Sequence, residues 1–169
     1  MTLEQVLERI PPLDAEAMAQ AKKHWDALAK PLHGLGDLED ILIRIAGICR
    51  TPRIDLRNKA VVVMCADNGV VAEGISQSGQ DVTQIITENL GKGTSTVCHM
   101  ARAAGADVIP VDIGVASDIH GSGVVHRKIA RGTHNFAKQP AMSRDQAVQA
   151  IGVGIETALL CRQHGYDVV

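Results

Sequence analysis

Ala60-Val61-Val62-Val63-Met64-Cys65-Ala66 is an unbroken apolar run. It leads directly into Asp67-Asn68-Gly69 and then into a loop, Val70 to Gly79, that carries Glu73, Ser76 and Ser78. Such a run, rich in β-branched residues, predicts a strand buried on both faces of a parallel sheet, because a half-exposed strand alternates apolar and polar positions. In open α/β sheets, ligands bind outside the carboxyl ends of such strands. The sequence therefore brings a carboxylate, an amide and a glycine to the edge where small molecules bind.

Downstream, the spacing predicts a helix from about Gln80 to Leu90, a Gly91-Lys92-Gly93 break, and a second helix from Thr94 to Ala104 with Gly105 as its stop. Asp107 to Ile113 reads as the next strand despite Pro110. Strand, helices, strand is a crossover unit and implies a parallel sheet. Gly114 to Pro140 is glycine-rich and reads as loop with at most a short strand. Ser143 and Gln146 form a capping box for a long helix to about Gln163, which Gly165 closes. Asp167-Val168-Val169 then opens another buried strand, from which a fold truncated at its C-terminus is expected.

Upstream the pattern is helical. Thr2 and Gln5 match a capping box ahead of Val6, Leu7 and Ile10, and Pro11-Pro12 ends that helix. Asp14 is a suitable N-cap for a second helix, with Met18, Ala21, Trp25 and Leu28 on one face, that stops before Pro31. Leu38, Ile41, Leu42, Ile45, Ala46 and Cys49 form the apolar stripe of a third. The expected organisation is a helical subdomain over residues 1–52, followed by the α/β domain over 57–169.

The 169 residues are 46% hydrophobic and 21% charged, ordinary for a globular chain with a real core. Aromatic residues make up only 2%, which leaves no stacking platform for single-stranded nucleic acid. A net charge of -2 and a pI near 6.4 also disfavour nucleic acid or an anionic membrane as partner. Cys49, Cys65, Cys98 and Cys161 lack C-x-x-C spacing and read as buried thiols in a reducing compartment. No apolar stretch is long enough to span a bilayer, and Met1 to Ile10 has no basic n-region. A cytoplasmic protein with a small-molecule ligand is expected.

At the ligand edge, Asp67 and Glu73 are each suited to act as general base, to position a ribose hydroxyl, or to cap the turn that follows. Ser78-Gly79, just before a helix, offers a hydroxyl and free N–H groups, suited to an anion or to a polar heterocycle edge; the alternative is a residue lying near a helix N-cap. Gly91-Lys92-Gly93-Thr94 follows a helix and lacks phosphate-loop spacing, and Gly114, Gly121 and Gly123 do not form a dinucleotide fingerprint. His120, His126 and His134 lack metal-ligand spacing, and no G-x-S-x-G is present. The residues alone thus lead to an α/β ligand-binding domain with helical decoration.

An ordered set of segments goes further: Leu35-Gly36-Asp37-Leu38-Glu39, Met64 to Val70, Glu73-Gly74, Ser78, Gly93-Thr94 with Val97-Cys98, Ala130-Arg131-Gly132-Thr133, and Pro140-Ala141-Met142-Ser143. Together they resemble the nicotinate-nucleotide:5,6-dimethylbenzimidazole phosphoribosyltransferase family of cobalamin synthesis over nearly the whole chain. The resemblance implies transfer of 5-phosphoribose from nicotinate mononucleotide to a benzimidazole nitrogen, giving α-ribazole 5'-phosphate and nicotinate, with no metal or cofactor. That chemistry calls for a flat apolar slot, a carboxylate to take the proton from the other ring nitrogen, and N–H groups for the phosphate.

By the same resemblance Ser78 lines the benzimidazole pocket near the helix that carries Ile86, where the family can have a glutamine facing the base. Met64, Asp67 and Asn68 form the adjacent wall and support. Family chains are about double this length and resemble homodimers. Their general-base glutamate and phosphate-gripping loops correspond to positions beyond Val169, and their small helical domain is built from both chain ends. The expected fold is thus a Rossmann-like parallel layer with flanking helices, incomplete at its C-terminus, plus an N-terminal helical subdomain. Two alternatives accompany this reading: a non-catalytic fragment or split-enzyme subunit that contributes only the base-binding wall, and an unrelated nucleotide-binding α/β domain.

Overall fold

The computed structural model describes residues 3–169. It contains two units, one ending at Leu56 and the other spanning Arg57–Val169. The first unit is helical: α1 (Leu3–Leu7), α2 (Ala15–Asp26) and α3 (Asp37–Cys49). Thr2 of the expected capping box lies outside the described residues. Asp14 caps α2, its Oδ1 accepting the Ala17 N–H at 2.9 Å. Helices α2 and α3 pack through small residues, with Ala17, Ala21, Ala46 and Gly47 all buried. A Cβ at Gly47 would sit 2.7 Å from Met18 Cγ, so glycine is what permits this approach.

One sequence expectation fails in this unit, and one burial was not anticipated. Cys49 is exposed rather than buried, because the contact with α2 runs along Ala46 and Gly47 and leaves Leu38, Ile41 and Ile48 exposed as well. Conversely Glu39, a charged residue within the helical pattern, is only 1% exposed. Its carboxylate accepts the Leu35 N–H at 3.0 Å and pairs with Lys30 Nζ at 2.8 Å. The Lys30 ammonium also lies 6.0 Å from the Trp25 ring centroid.

The Lys30 contact, and then the Leu35 N–H, hold the Glu39 carboxyl below its ordinary value of 4.5. A depressed carboxylate pKa stabilises the folded state above the unfolded-state value, and that contribution disappears as pH falls through the folded value. The helical unit is therefore expected to lose stability as pH drops below about 4.5. Glu39→Gln should flatten that acid limb in denaturant unfolding followed at Trp25; an unchanged limb contradicts the assignment.

The second unit is a parallel sheet in the order β1-β2-β3, made of Lys59–Ala66, Ala106–Gly114 and Val125–His126. Val168 bridges Lys59 in parallel, and its carbonyl accepts the Ala60 N–H at 2.9 Å, on the edge of β1 away from β2. Between β1 and β2 run a 3-10 turn (Gly69–Glu73), α4 (Asp81–Gly91) and α5 (Thr96–Ala103), the expected crossover. Pro110 is tolerated because β3 begins pairing with β2 only at Val111. Helices α4 and α5 cover a core of Cys65, Leu90, Cys98 and Val115, with Val63, Val97 and Val108 packed against it.

The expectation that β1 is buried on both faces is not met. Ala60 and Cys65 are buried, but Val61 and Met64 are 37% and 41% exposed. An apolar run specifies a strand inside a sheet; it does not specify which of its side chains α4 and α5 reach. Beyond β2, residues 115–140 are irregular apart from β3. The last helix, α6 (Arg144–Gln163), carries the expected capping box: Ser143 Oγ accepts the Gln146 N–H at 3.1 Å, and Gln146 Oε1 accepts the Ser143 N–H at 2.9 Å. Among the described residues no helix is long and apolar enough to cross a membrane.

Candidate functional site

The register of β1 with β2 shifts between Cys65 and Ala66, where Asp112 and Gly114 are the successive partners and Ile113 is the extra residue. Beyond this shift opens a cleft of about 640 Å³ between the end of β1, the following loop and α4. The five residues that the resemblance places at the base pocket line it: Met64, Asp67 and Asn68 from the strand end, Ser78 from the loop and Ile86 from α4. Met64, Ile75, Val82 and Ile86 supply exposed apolar surface. Ser78, Gln80 and Thr83 add polar groups, giving an apolar slot with a few hydrogen-bonding positions.

Asp67 is buried, and its Oδ2 accepts the Ala116 N–H at 2.8 Å. Its backbone is equally engaged: the N–H donates to Gly114 O and the carbonyl accepts from Thr133 N–H, both at 3.0 Å. Asp67 therefore acts here as a structural tie at the cleft wall. Asn68 is the N-cap of the 3-10 turn. Gly69 lies hard against the 133–135 backbone, where a Cβ would collide with Thr133 O. Ser78 stands exposed two positions before Gln80, the N-cap of α4, and its N–H donates to Ser76 Oγ at 3.3 Å. Glu73 is not among the lining residues; it bonds the Asn135 amide and pairs with Lys138 at 3.2 Å. Cys65 also lines the cleft, but burial pushes its thiol pKa up, which makes it a poor nucleophile.

Sequence reasoning missed three features. Phe136 reaches the cleft from the far 131–138 loop. Asp112, 1% exposed at the end of β2, pairs with Lys128 Nζ at 3.1 Å while its Oδ1 accepts the Val115 N–H at 3.0 Å. Lys128 also donates to the carbonyls of Val115 and Ser117, and so fixes the turn that receives the Asp67 carboxylate. The available signal was an aspartate interrupting an apolar strand, since a buried charge demands a partner. Third, a smaller cavity of about 320 Å³ lies at the ends of β1 and β2, bounded by Arg131 to His134 and the first turns of α6.

A family model described as phosphoribosyltransferase matches residues 10–169, and the chain belongs to that family. Within it, the chain is 43% identical over 169 residues to the nicotinate-nucleotide--dimethylbenzimidazole phosphoribosyltransferase of Ruminiclostridium cellulolyticum, covering all of this chain and 48% of that protein. It is 46% identical over 151 residues to the protein of the same name from Acetivibrio thermocellus, covering 89% of this chain and 43% of that one. The crystal structure of the nicotinate-nucleotide-dimethylbenzimidazole phosphoribosyltransferase from Thermus thermophilus superposes with a TM-score of 0.84 at 37% identity, over 90% of this chain and 47% of that one. The chain spans about half the length of the curated relatives it matches.

Proposed function

We propose that this chain is the base-binding part of an enzyme that transfers 5-phosphoribose from nicotinate mononucleotide to 5,6-dimethylbenzimidazole in cobalamin biosynthesis, releasing nicotinate. The observation that carries this reading is the convergence of Met64, Asp67, Asn68, Ser78 and Ile86 on one apolar-walled cleft at the carboxyl end of β1. In the reaction one ring nitrogen of the base attacks C1' of the ribose from the face opposite the leaving nicotinate, which inverts the anomeric centre. The other ring nitrogen gives up its proton. Ser78 and the apolar side chains orient the base, and a dry slot favours attack by the base over water.

Among the described residues Asp67 is the only carboxylate lining the cleft, and it is tied to Ala116. By resemblance to the family, the proton acceptor is assigned to a glutamate that the described cleft residues do not supply. Ile86 stands where a glutamine can face the base, so base selection here leans on shape and apolar contact. The complete enzyme is proposed to be a cytoplasmic homodimer that acts on small molecules rather than nucleic acid.

The chain is expected to bind 5,6-dimethylbenzimidazole weakly but saturably, to show no saturable binding of NAD, and to give no detectable turnover of nicotinate mononucleotide. Equilibrium dialysis and a product assay check this. Turnover at rates typical of a complete enzyme would overturn the assignment of the general base.

A further inference from the structure

Phe136 is the only phenylalanine in a chain that has one tryptophan and one tyrosine. It is 63% exposed, yet it lines the cleft opposite residues that come from β1 and α4. Its segment is restrained on both sides. The Gly69 N–H donates to Thr133 Oγ1 at 3.2 Å, and the His134 N–H donates to Ala141 O at 2.8 Å. Asn135 Oδ1 accepts the Ala137 N–H at 3.0 Å, and the Asn135 amide and Lys138 both converge on Glu73. A large apolar ring held at a cleft mouth by this many bonds forgoes its own burial, and a flat ligand supplies what would cover it.

Resting on the base-binding reading above, we propose that Phe136 is a specificity-determining residue whose ring stacks on the bound base and selects fused aromatic rings over smaller ones. The opposing side chains, Met64, Val82 and Ile86, are aliphatic and accept any apolar shape. Only Phe136 offers an aromatic face among the lining residues, so discrimination by ring area is assigned to it. A bicyclic benzimidazole covers more of that face than imidazole does.

The test is affinity of the 169-residue chain for 5,6-dimethylbenzimidazole and for imidazole, measured by titration calorimetry on wild type, Phe136→Ala, Phe136→Leu, Phe136→Trp and Ile86→Asp. An aromatic pair corresponds to roughly 2- to 12-fold in affinity. Phe136→Ala should weaken benzimidazole binding by about that factor and reduce the preference over imidazole. Phe136→Leu should recover only part, and Phe136→Trp most of it. The midpoint of thermal unfolding should stay unchanged throughout, since the side chain is exposed. If Ile86→Asp abolishes binding while the Phe136 variants bind like wild type, the stacking role is overturned and the cleft reading stands. If neither substitution changes affinity, or wild type binds no base, the cleft reading falls and takes this inference with it. Phe136 variants that alter oligomeric state without altering affinity assign the ring to a protein contact and likewise overturn the proposal.

Discussion

Lys128→Met is expected to destabilise the α/β unit by about 3 kcal/mol, because it leaves the Asp112 charge buried without its counter-ion. The lower end of the usual range applies, since the Lys128 side chain retains 23% exposure while that of Asp112 has 1%. The carbonyls of Val115 and Ser117 also lose their donor. Arg131 still bonds Ala116 O at 3.0 Å, so the turn is loosened rather than released. Chemical denaturation followed by far-ultraviolet circular dichroism measures the loss. The double variant Asp112→Asn with Lys128→Met should be less destabilised than Lys128→Met alone, because the uncompensated charge is gone. Equal losses in the two would show that the ammonium acts only through the carbonyls.

Gly123→Ala is expected to destabilise the same unit by about 3 kcal/mol through two separate mechanisms. Gly123 has φ of +85°, a conformation that an L side chain adopts with strain. Its new Cβ would also lie 2.5 Å from Gly91 O at the end of α4, an unyielding backbone contact. Gly105→Ala is the control: its φ is +64°, with nothing within 4 Å of an added Cβ. That substitution should carry only the strain, about 1 kcal/mol. The difference between the two unfolding free energies isolates the clash, and equal values contradict it.

Local features were legible in the sequence. The caps at Asp14 and Ser143, the crossover from β1 to β2 and the run that ends at Asp67 are all written within a few residues of one another, as propensity and periodicity require. The five candidate residues converge because a strand end, its loop and the next helix are adjacent in the chain. The route of residues 115–140 was not legible. It is set by contacts distant in sequence, Gly123 against Gly91, Lys128 with Asp112 and Asn135 with Glu73, and none of these leaves a periodic trace. Phe136 was missed for that reason. The burial of Glu39 was not legible either, because it depends on the return of Lys30 to pair with its carboxylate.

The scarcity of aromatic side chains makes this protein its own set of optical reporters. Trp25 belongs to the helical unit, whereas Tyr166, which donates to Asp107 Oδ2 at 2.7 Å, belongs to the sheet. Tryptophan emission therefore reports on the helical unit, while the second-derivative absorbance band of tyrosine reports on the junction of α6 with β2. Melting curves recorded at the two wavelengths in one sample separate cooperative unfolding from independent unfolding of the two units, with no label introduced.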